Sequence, residues 1–174
     1  MNEDVVRTER LVMRRAEVRD LAPMHAILSD NEAMRYWSTP PHKTLHQTRD
    51  WLKEMMASPD SESDDFVVEF EGHVIGKAGF WRLPEIGYIL HPDCWGRGLA
   101  HECLSALIAR AFSRFDADAL VADVDPRNAA SLKLLTKLGF VETRRAQRTI
   151  LVGDEWCDSV YLELRRERWR TING

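Results

Sequence analysis

Residues 85–110 read EIGYILHPDCWGRGLAHECLSALIAR, and this stretch decides the fold. Glu85–Leu90 has the composition of a short strand, and the His-Pro pair that follows ends it. From Leu99 the apolar residues recur at helical spacing, which predicts a long amphipathic helix. Because Gly96 and Gly98 lie between the two, the stretch predicts a strand, a glycine turn and a helix N-terminus in succession.

A glycine turn at a helix N-terminus is an arrangement that binds phosphate. Glycine exposes backbone N–H groups without a Cβ in the way, and the first N–H groups of a helix lie unpaired at the positive end of its dipole. Arg97 adds a positive charge. Neither G-x-G-x-x-G nor G-x-x-x-x-G-K-[ST] is present, which disfavours the Rossmann and P-loop interpretations. The glycines alone could equally form a tight turn without a ligand. The helix that follows them at once favours the phosphate-binding interpretation.

The remaining periodicity predicts a sheet covered by helices, hence an α/β or α+β fold. The predicted strands lie at about 10–14, 66–70, 74–81, 120–124, 141–151 and 160–164. The predicted helices, besides the one from Leu99, begin near Asp20, Thr44 and Asn128. The arginine-rich C-terminal run at 165–170 is predicted to be a solvated tail.

Composition indicates an ordinary globular protein, with 174 residues, 44% apolar and 30% charged. We therefore expect one domain over residues 1–174. A net charge of −4 gives no reason to expect nucleic-acid binding. No apolar run approaches the about 18 residues of a membrane span, so a membrane partner is not expected either.

Cysteine usage and the N-terminus predict a cytoplasmic location. Cys94, Cys103 and Cys157 are odd in number and form no C-x-x-C pair, which is typical of a reducing compartment. The N-terminal stretch MNEDVVRTER is charged and lacks the apolar core of a signal peptide. The sequence contains no H-E-x-x-H, and no metal site is expected.

Several phrases, spread over nearly the whole chain, carry a family resemblance. They are Thr8-Glu9-Arg10-Leu11, Glu85-Ile86-Gly87-Tyr88-Ile89-Leu90, Trp95-Gly96-Arg97-Gly98-Leu99-Ala100, Asn128 with Ser131 and Leu138-Gly139-Phe140, and Trp156-Cys157-Asp158-Ser159-Val160-Tyr161. In this order they resemble the GNAT acetyltransferases, in particular the RimJ/RimL-like subgroup typified by N-terminal acetylases of ribosomal proteins. The third phrase matches the family motif [Q/R]-x-x-G-x-[G/A], with Trp95 at the position of the usual Gln or Arg.

The resemblance implies a mixed, mostly antiparallel sheet of seven strands, flanked by about four helices, whose central strands splay apart. It implies acetyl-CoA as co-substrate, with its pantetheine arm between those strands. The residues that would bind the cofactor are Tyr88, Ile89, Leu90, Gly96, Arg97, Gly98, Leu99, Ala100, His101 and Asn128. Asn is also a favoured N-cap type, so Asn128 has a structural alternative.

Acetyl transfer to an amine needs a proton acceptor for the amine and a donor beside the leaving sulfur. Ser131, three residues after Asn128 on the same helix face, is the candidate acid. Other branches of the family place a tyrosine acid farther along this helix, where Leu135 stands here. Glu85 and Asp123 are the candidate bases, and a water chain without a single base stays open.

The function predicted is transfer of acetyl from acetyl-CoA to a primary amine, by direct transfer in a ternary complex. The acceptor is either a peptide N-terminus or a small molecule, bound by a wall at about residues 31–45 that includes Tyr36 and Trp37. A non-catalytic acyl-CoA sensor on the same fold is the alternative. Monomer and homodimer are both compatible with the sequence.

Overall fold

The computed structural model describes residues 4–174, in which eight strands and five α-helices form. The strands are β1 (Val5–Arg7), β2 (Leu11–Arg14), β3 (Asp64–Phe70), β4 (His73–Arg82), β5 (Glu85–Leu90), β6 (Ala119–Val124), β7 (Val141–Val152) and β8 (Glu155–Arg165). The helices are α1 (Leu21–Leu28), α2 (Leu45–Ala57), α3 (Leu99–Arg114), α4 (Ala129–Lys137) and α5 (Arg166–Asn173). Residues 1–3, part of the predicted domain and of the charged N-terminal stretch, lie outside the described residues.

The predicted fold class is confirmed, with one strand and one helix more than the seven and four expected. The additional strand is the three-residue β1, which pairs antiparallel with β2. The additional helix is α5, which replaces the predicted solvated tail. The Arg166 guanidinium donates to the carbonyl of Phe115 at 2.7 Å and to that of Ala117 at 3.0 Å. The guanidinium also donates to the Phe112 carbonyl in the last turn of α3, which is one of the acceptors that a helix end leaves open. The tail is therefore held against α3 and the loop that follows it.

One sheet contains all eight strands, in the order β1-β2-β3-β4-β5-β6-β8-β7. Every neighbouring pair is antiparallel except β5 and β6, which are parallel. These two strands share one register pair, Glu85 with Val121, next to a hydrogen bond of 3.1 Å from the Val121 N–H to the Pro84 carbonyl. Beyond this point they separate, which confirms the predicted splay of the central strands.

Both faces of the sheet are covered by helices, and the alternation of β5 assigns its side chains to them. Ile86 and Leu90 pack in the main core with the buried face of α3 and with Leu135 of α4. Ile89 points to the other face, into a smaller cluster with α1. A strand that is apolar on both faces is typical of a central position in a sheet.

The pairing of β4 with β5 requires a glycine at position 76. A Cβ on Gly76 would lie 2.0 Å from the Ile89 carbonyl oxygen and 2.9 Å from the Leu90 Cα. Backbone atoms cannot yield as the tip of a side chain can, so a larger residue has to push β5 away from β4. Gly76 thus fixes the position of β5, the strand that borders the gap between β5 and β6.

We expect Gly76→Ala to lower the free energy of unfolding by about 3 kcal/mol, since the methyl group overlaps backbone on a central strand. Gly87→Ala is the matched control on β5, because a Cβ there meets nothing within 4 Å. Urea denaturation of both variants measures the difference. Equal urea midpoints for Gly76→Ala and Gly87→Ala would contradict the close approach of β4 and β5 at Gly76.

Candidate active site

A cavity of about 440 Å³ opens between the splayed strands and the N-termini of α3 and α4. Eleven of the thirteen predicted site residues line it: Tyr88, Ile89, Leu90, Gly96, Gly98, Leu99, Ala100, His101, Asp123, Asn128 and Ser131. Glu85 and Arg97 are outside its lining. Tyr88 and Ser131, which lie 43 positions apart in sequence, therefore line the same cavity, as the resemblance implies.

The glycine turn has the backbone conformation that only glycine adopts without strain. Gly96 and Gly98 have φ values of 71° and 76°, and Gly98 is the residue at which α3 begins. The Glu102 N–H donates to the Gly98 carbonyl at 3.1 Å. The N–H groups of the first turn, at Leu99, Ala100 and His101, precede this bond and have no helical acceptor. They are the groups suited to an anion.

Arg97 does not project into the cavity. Its guanidinium carbon lies 4.6 Å from the centre of the Phe70 ring, a cation–π contact on the far side of the turn. A contact of the Arg97 guanidinium with a cofactor phosphate would require this side chain to leave Phe70, whereas the predicted contact through its backbone N–H would not. The backbone of the turn, and not its arginine, faces the cavity.

Two contacts that the sequence did not reveal hold the glycine turn in place. The Trp95 indole N–H donates to the Leu90 carbonyl at 2.9 Å, which joins the turn to the end of β5. The Arg10 guanidinium donates to the Arg97 carbonyl at 3.0 Å. The indole contact gives a physical reason for tryptophan at the first motif position, where Gln or Arg is usual.

Glu102, in the first turn of α3, anchors the N-terminal segment to this turn. Its carboxylate accepts hydrogen bonds from the Thr8 hydroxyl at 2.5 Å, the Arg10 backbone N–H at 2.8 Å and the Arg10 guanidinium at 2.7 Å. Burial alone would raise the pKa of Glu102, and these hydrogen bonds outweigh it and lower the pKa. The phrase Thr8 to Leu11 thus forms part of the support of the turn.

The backbone N–H and carbonyl groups of β5 face its two neighbouring strands, β4 and β6, at alternate residues. The His91 N–H donates to the Ile75 carbonyl at 2.7 Å, on the β4 side, and the Ile89 carbonyl also faces β4, against Gly76. Because successive residues of a strand point their backbone groups to opposite sides, those of Tyr88 and Leu90 face the gap toward β6. Of the three residues predicted to offer backbone groups to the cofactor, Tyr88 and Leu90 thus have them toward the gap, whereas those of Ile89 face β4.

Asn128 and Ser131 lie together at the start of α4. The Asn128 side-chain oxygen accepts from the Ser131 backbone N–H at 3.1 Å, so Asn128 is the N-cap of this helix. Its amide NH₂ group is not used by that bond. The Ser131 hydroxyl accepts a hydrogen bond of 2.9 Å from the Tyr88 hydroxyl. The cap leaves the predicted binding role of Asn128 open, since that role needs only the amide NH₂ group.

The two candidate bases lie near each other on the opposite face of the sheet from Tyr88. Asp123 is exposed in the cavity, and Glu85 is half-buried beside it. The pKa of Glu85 is raised, first because burial removes water from the carboxylate and second because Asp123 repels its charge. Proton donor and proton acceptor candidates thus approach the gap from different sides.

The wall at residues 31–45 contributes Tyr36 and Trp37 to the cavity, as predicted. The Lys77 ammonium lies 5.8 Å from the Trp37 ring centre and forms a buried ion pair of 2.7 Å with Asp65. Arg127 lies 5.9 Å from the Tyr36 ring centre. The wall is thus held from β4 on one side and from the turn before α4 on the other.

Arg127, in the loop between β6 and α4, joins that loop to the β7–β8 hairpin. Its guanidinium hydrogen-bonds Asp125 at 2.6 Å and Glu155, in the β7–β8 hairpin, at 2.7 Å. The hydrogen bonds from Arg127 lower the pKa of Asp125 and keep that carboxyl ionised. Sequence analysis missed Asp125 and Arg127, since nothing local indicates a contact with a hairpin 28 positions away.

Comparison with known proteins agrees with this geometry. The GNAT acetyltransferase domain family matches residues 10–141. A Bacillus licheniformis protein named as an uncharacterized N-acetyltransferase, p20, is 31% identical over 142 residues, covering 76% of this chain and 80% of that protein. Spermidine N(1)-acetyltransferase of Escherichia coli K12 is 28% identical over 157 residues, covering 85% of this chain and 82% of that protein. The chain therefore belongs to the GNAT acetyltransferase family, and it is an acetyl-CoA-dependent N-acetyltransferase.

The RimJ/RimL-like subgroup stays a prediction. The structure of RimL, a ribosomal alpha-N-protein acetyltransferase in complex with coenzyme A, superposes with a TM-score of 0.79. It covers 92% of this chain and 97% of its own, at 16% identity. A likeness at that identity shows the fold alone, and the sequence relatives above are other N-acetyltransferases.

The described part of the chain, residues 4–174, has no helix long and apolar enough to cross a membrane. Within the same residues, no group of three or more His, Cys, Asp or Glu side chains is placed to hold a metal ion.

We expect Asp123→Asn to lower the pKa of Glu85 toward its ordinary 4.5 without reaching it, because the repulsion disappears and the burial stays. A carboxyl with a raised pKa stabilises the fold only while protonated, and this contribution is lost as the pH rises from 4.5 through the raised value. In Asp123→Asn, the stabilisation by protonated Glu85 should be lost completely at a lower pH than in the unmodified protein. Carbon NMR titration of Glu85 measures the change.

The control for this titration is Asp116→Asn, an exposed carboxylate in the loop after α3. It should leave the Glu85 titration unchanged. An identical Glu85 midpoint in Asp123→Asn and in the unmodified protein would show that the two carboxylates do not interact.

Proposed function

We propose that this enzyme moves acetyl from acetyl-CoA directly to a primary amine of a small cationic acceptor. One observation carries the proposal: a single cavity joins the glycine turn, the gap between β5 and β6, and the pair Asn128 and Ser131. A diphosphate on the turn and a thioester in the gap would place the reacting carbonyl beside both proton-transfer candidates. Holding both substrates in one site reduces the barrier by several kcal/mol, so no covalent intermediate is needed.

The cofactor would be held mainly by backbone groups. The N–H groups of Leu99, Ala100 and His101 suit the diphosphate, because they lie at the positive end of α3. The backbone of Tyr88 and Leu90 suits the pantetheine amides, as an added strand pairs with an open edge. The free amide NH₂ of Asn128 would donate to the arm near the sulfur.

Gly96→Asn tests the phosphate site. A Cβ at Gly96 meets nothing within 4 Å, so a side chain there occupies the space of the diphosphate without touching protein. Asn tolerates positive φ better than other non-glycine residues. We expect about 30-fold weaker binding of CoA, measured by calorimetry, from the loss of charge-assisted hydrogen bonds.

The matched control is Gly72→Asn in the β3–β4 turn, where φ is 79° and a Cβ again meets nothing within 4 Å. It introduces the same backbone strain far from the cavity and should leave the dissociation constant for CoA unchanged. Equal affinities of the two variants for CoA would remove the turn from the binding site.

The chemistry follows from the two sides of the gap. The amine nitrogen attacks the thioester carbonyl, the C–N bond forms, and the nitrogen loses a proton to Asp123 directly or through water. The Tyr88 N–H, which faces the gap farther from the glycine turn than that of Leu90, would stabilise the tetrahedral oxyanion. The C–S bond then breaks, and the Ser131 hydroxyl stabilises the leaving thiolate. Asp123 is preferred to Glu85 as base because it reaches the cavity, whereas Glu85 lies behind it.

The acceptor is inferred from the charge of the wall. The residues that line the cavity include three carboxylates, Glu32, Asp123 and Asp125, and one guanidinium, that of Arg35. Because Arg127 pairs with Asp125 at 2.6 Å, the excess negative charge of the wall comes from Glu32 and Asp123. Such a wall attracts an acceptor that carries a second positive charge besides the reacting amine. The likeness to a spermidine acetyltransferase supports a polyamine, and a peptide N-terminus is the alternative that the test includes.

We expect kcat/KM for spermidine to exceed that for butylamine and for a short neutral peptide by at least about 10-fold, because of the acidic wall. Asp123→Asn should reduce kcat/KM for spermidine by about 100-fold, since it removes the proton acceptor, with unchanged affinity for CoA. Glu85→Gln is the comparison and should cost less than about 5-fold. Acceptor-dependent release of CoA is the assay, and a preference for the peptide would reverse the acceptor assignment.

We also place the enzyme in the cytoplasm. All three cysteines are free, and Cys103 and Cys157 are buried as thiols. A protein that keeps its thiols unpaired suits a reducing compartment.

A further inference from the structure

We propose that Tyr88 is a positioning residue: its hydroxyl orients the Ser131 hydroxyl so that the serine proton points at the sulfur of CoA. The proposal rests on the acetyl transfer inferred above and adds a residue to it. Tyr88 enters the prediction from sequence only through its backbone. The structure gives its side chain a separate role, on the opposite side of β5 from the carboxylates.

The Tyr88 side chain is placed by the alternation of β5. It lies on the same face as Ile86 and Leu90 and packs against the main core. From there the phenol reaches across the end of the gap to α4, where its oxygen lies 2.9 Å from the Ser131 Oγ. The ring is held by core packing, so the hydroxyl has little freedom to point elsewhere.

The direction of this hydrogen bond decides its consequence. The tyrosine donates and the serine oxygen accepts, so the proton of the serine is left for another acceptor. Burial raises the pKa of Tyr88 to about 12, which keeps the phenol protonated and therefore a donor at every pH at which the enzyme would work. The serine proton is thus directed by its neighbour, and not shared with it.

Other hydroxyls on helices of this chain use their proton differently. Ser29, Ser105 and Thr136 donate to the backbone carbonyl four residues earlier, at distances of 2.6, 2.7 and 2.8 Å. Ser131 is the third residue of α4, so the residue four positions earlier, Arg127, precedes the helix. In the part of the chain that the structure describes, the Ser131 hydroxyl donates to no protein acceptor within hydrogen-bond distance. Its proton is available to a ligand in the cavity.

The serine itself is fixed from two sides. The Asn128 cap holds its backbone N–H at 3.1 Å, and the Tyr88 hydroxyl occupies a lone pair of its Oγ. With both constraints present, the remaining O–H points into the cavity that Ser131 lines. Without Tyr88 the hydroxyl would rotate among three staggered positions.

Tyr88 and Ser131 both keep their hydroxyl protons during the reaction. When the C–S bond of the tetrahedral intermediate breaks, the sulfur takes the bonding electrons, and the Ser131 O–H donates a hydrogen bond to the thiolate. The amine proton has already passed to the carboxylate side or to water. The thiolate departs as the anion or is protonated by solvent, and Tyr88 and Ser131 end as they began.

Two measurements test the proposal, with the variants Tyr88→Phe, Ser131→Ala and the double variant. The first is kcat with whichever of spermidine, butylamine and the neutral peptide gives the highest kcat/KM. We expect Tyr88→Phe to lower kcat by about 10-fold with KM for acetyl-CoA changed less than about 2-fold, because one oriented hydrogen bond is lost in the transition state. In the Ser131→Ala background the same substitution should change kcat by less than about 2-fold, because the group it orients is gone.

The second measurement needs no acceptor and follows the thiolate of bound CoA by its ultraviolet absorbance as a function of pH. Loss of a hydrogen bond to the thiolate should lower the thiolate fraction at a fixed pH by about 3-fold in Tyr88→Phe and in Ser131→Ala alike. Thr136→Val is the matched control on α4, since its hydroxyl is bound to the Leu132 carbonyl. It should change neither kcat nor the thiolate fraction.

Additive effects of Tyr88→Phe and Ser131→Ala on kcat, or an unchanged thiolate fraction in Tyr88→Phe, would overturn the proposal. Melting temperatures of the variants show whether a loss of kcat reflects unfolding, and the thiolate fraction is read only from CoA-saturated, folded protein. Failure of the proposed function looks different: the unmodified protein would bind CoA and release none from acetyl-CoA with any amine.

Discussion

The separation of β5 from β6 is the constraint on which the site depends. A strand inside a sheet normally pairs on both edges, because unpaired backbone groups away from water are costly. Here β5 pairs with β4 at every residue except Ile86 and meets β6 only at Glu85. The backbone of Tyr88 and Leu90 is left open, and one of these open carbonyls, that of Leu90, accepts the Trp95 indole. The fold therefore uses part of the exposed edge to position the glycine turn and leaves the rest for a ligand.

Because a strand sends alternate side chains to opposite faces, one gap can receive different chemistry from each side. Tyr88 and Ser131 reach it from the face covered by α3 and α4. Asp123 belongs to the opposite face, with Glu85 behind it. A proton acceptor and a hydrogen-bond donor that touched each other would neutralise one another, and the sheet between them prevents this contact.

Local patterns predicted the elements and the turn, whereas contacts between distant segments were beyond them. The strand Glu85–Leu90 was predicted with its observed bounds. The helices α3 and α4 were predicted because apolar residues recur three and four positions apart along them. The C-terminal helix was missed because Arg166 is held by carbonyls about 50 positions earlier. Tyr88 was assigned by its backbone alone, since only the folded chain brings its hydroxyl to Ser131, 43 positions later.

The charge of Glu102 poses an electrostatic problem that the N-terminal segment solves. A carboxylate in the first turn favours the helix dipole, but it would repel a diphosphate bound to the same N–H groups. Arg10 lies against this carboxylate at 2.7 Å, and one of its nitrogens is 3.6 Å from the position of a Cβ on Gly98. The guanidinium therefore cancels the negative charge beside the turn and keeps the local field favourable to an anion. The sequence phrase around Arg10, far from the glycines along the chain, is in this way part of the support of the same turn.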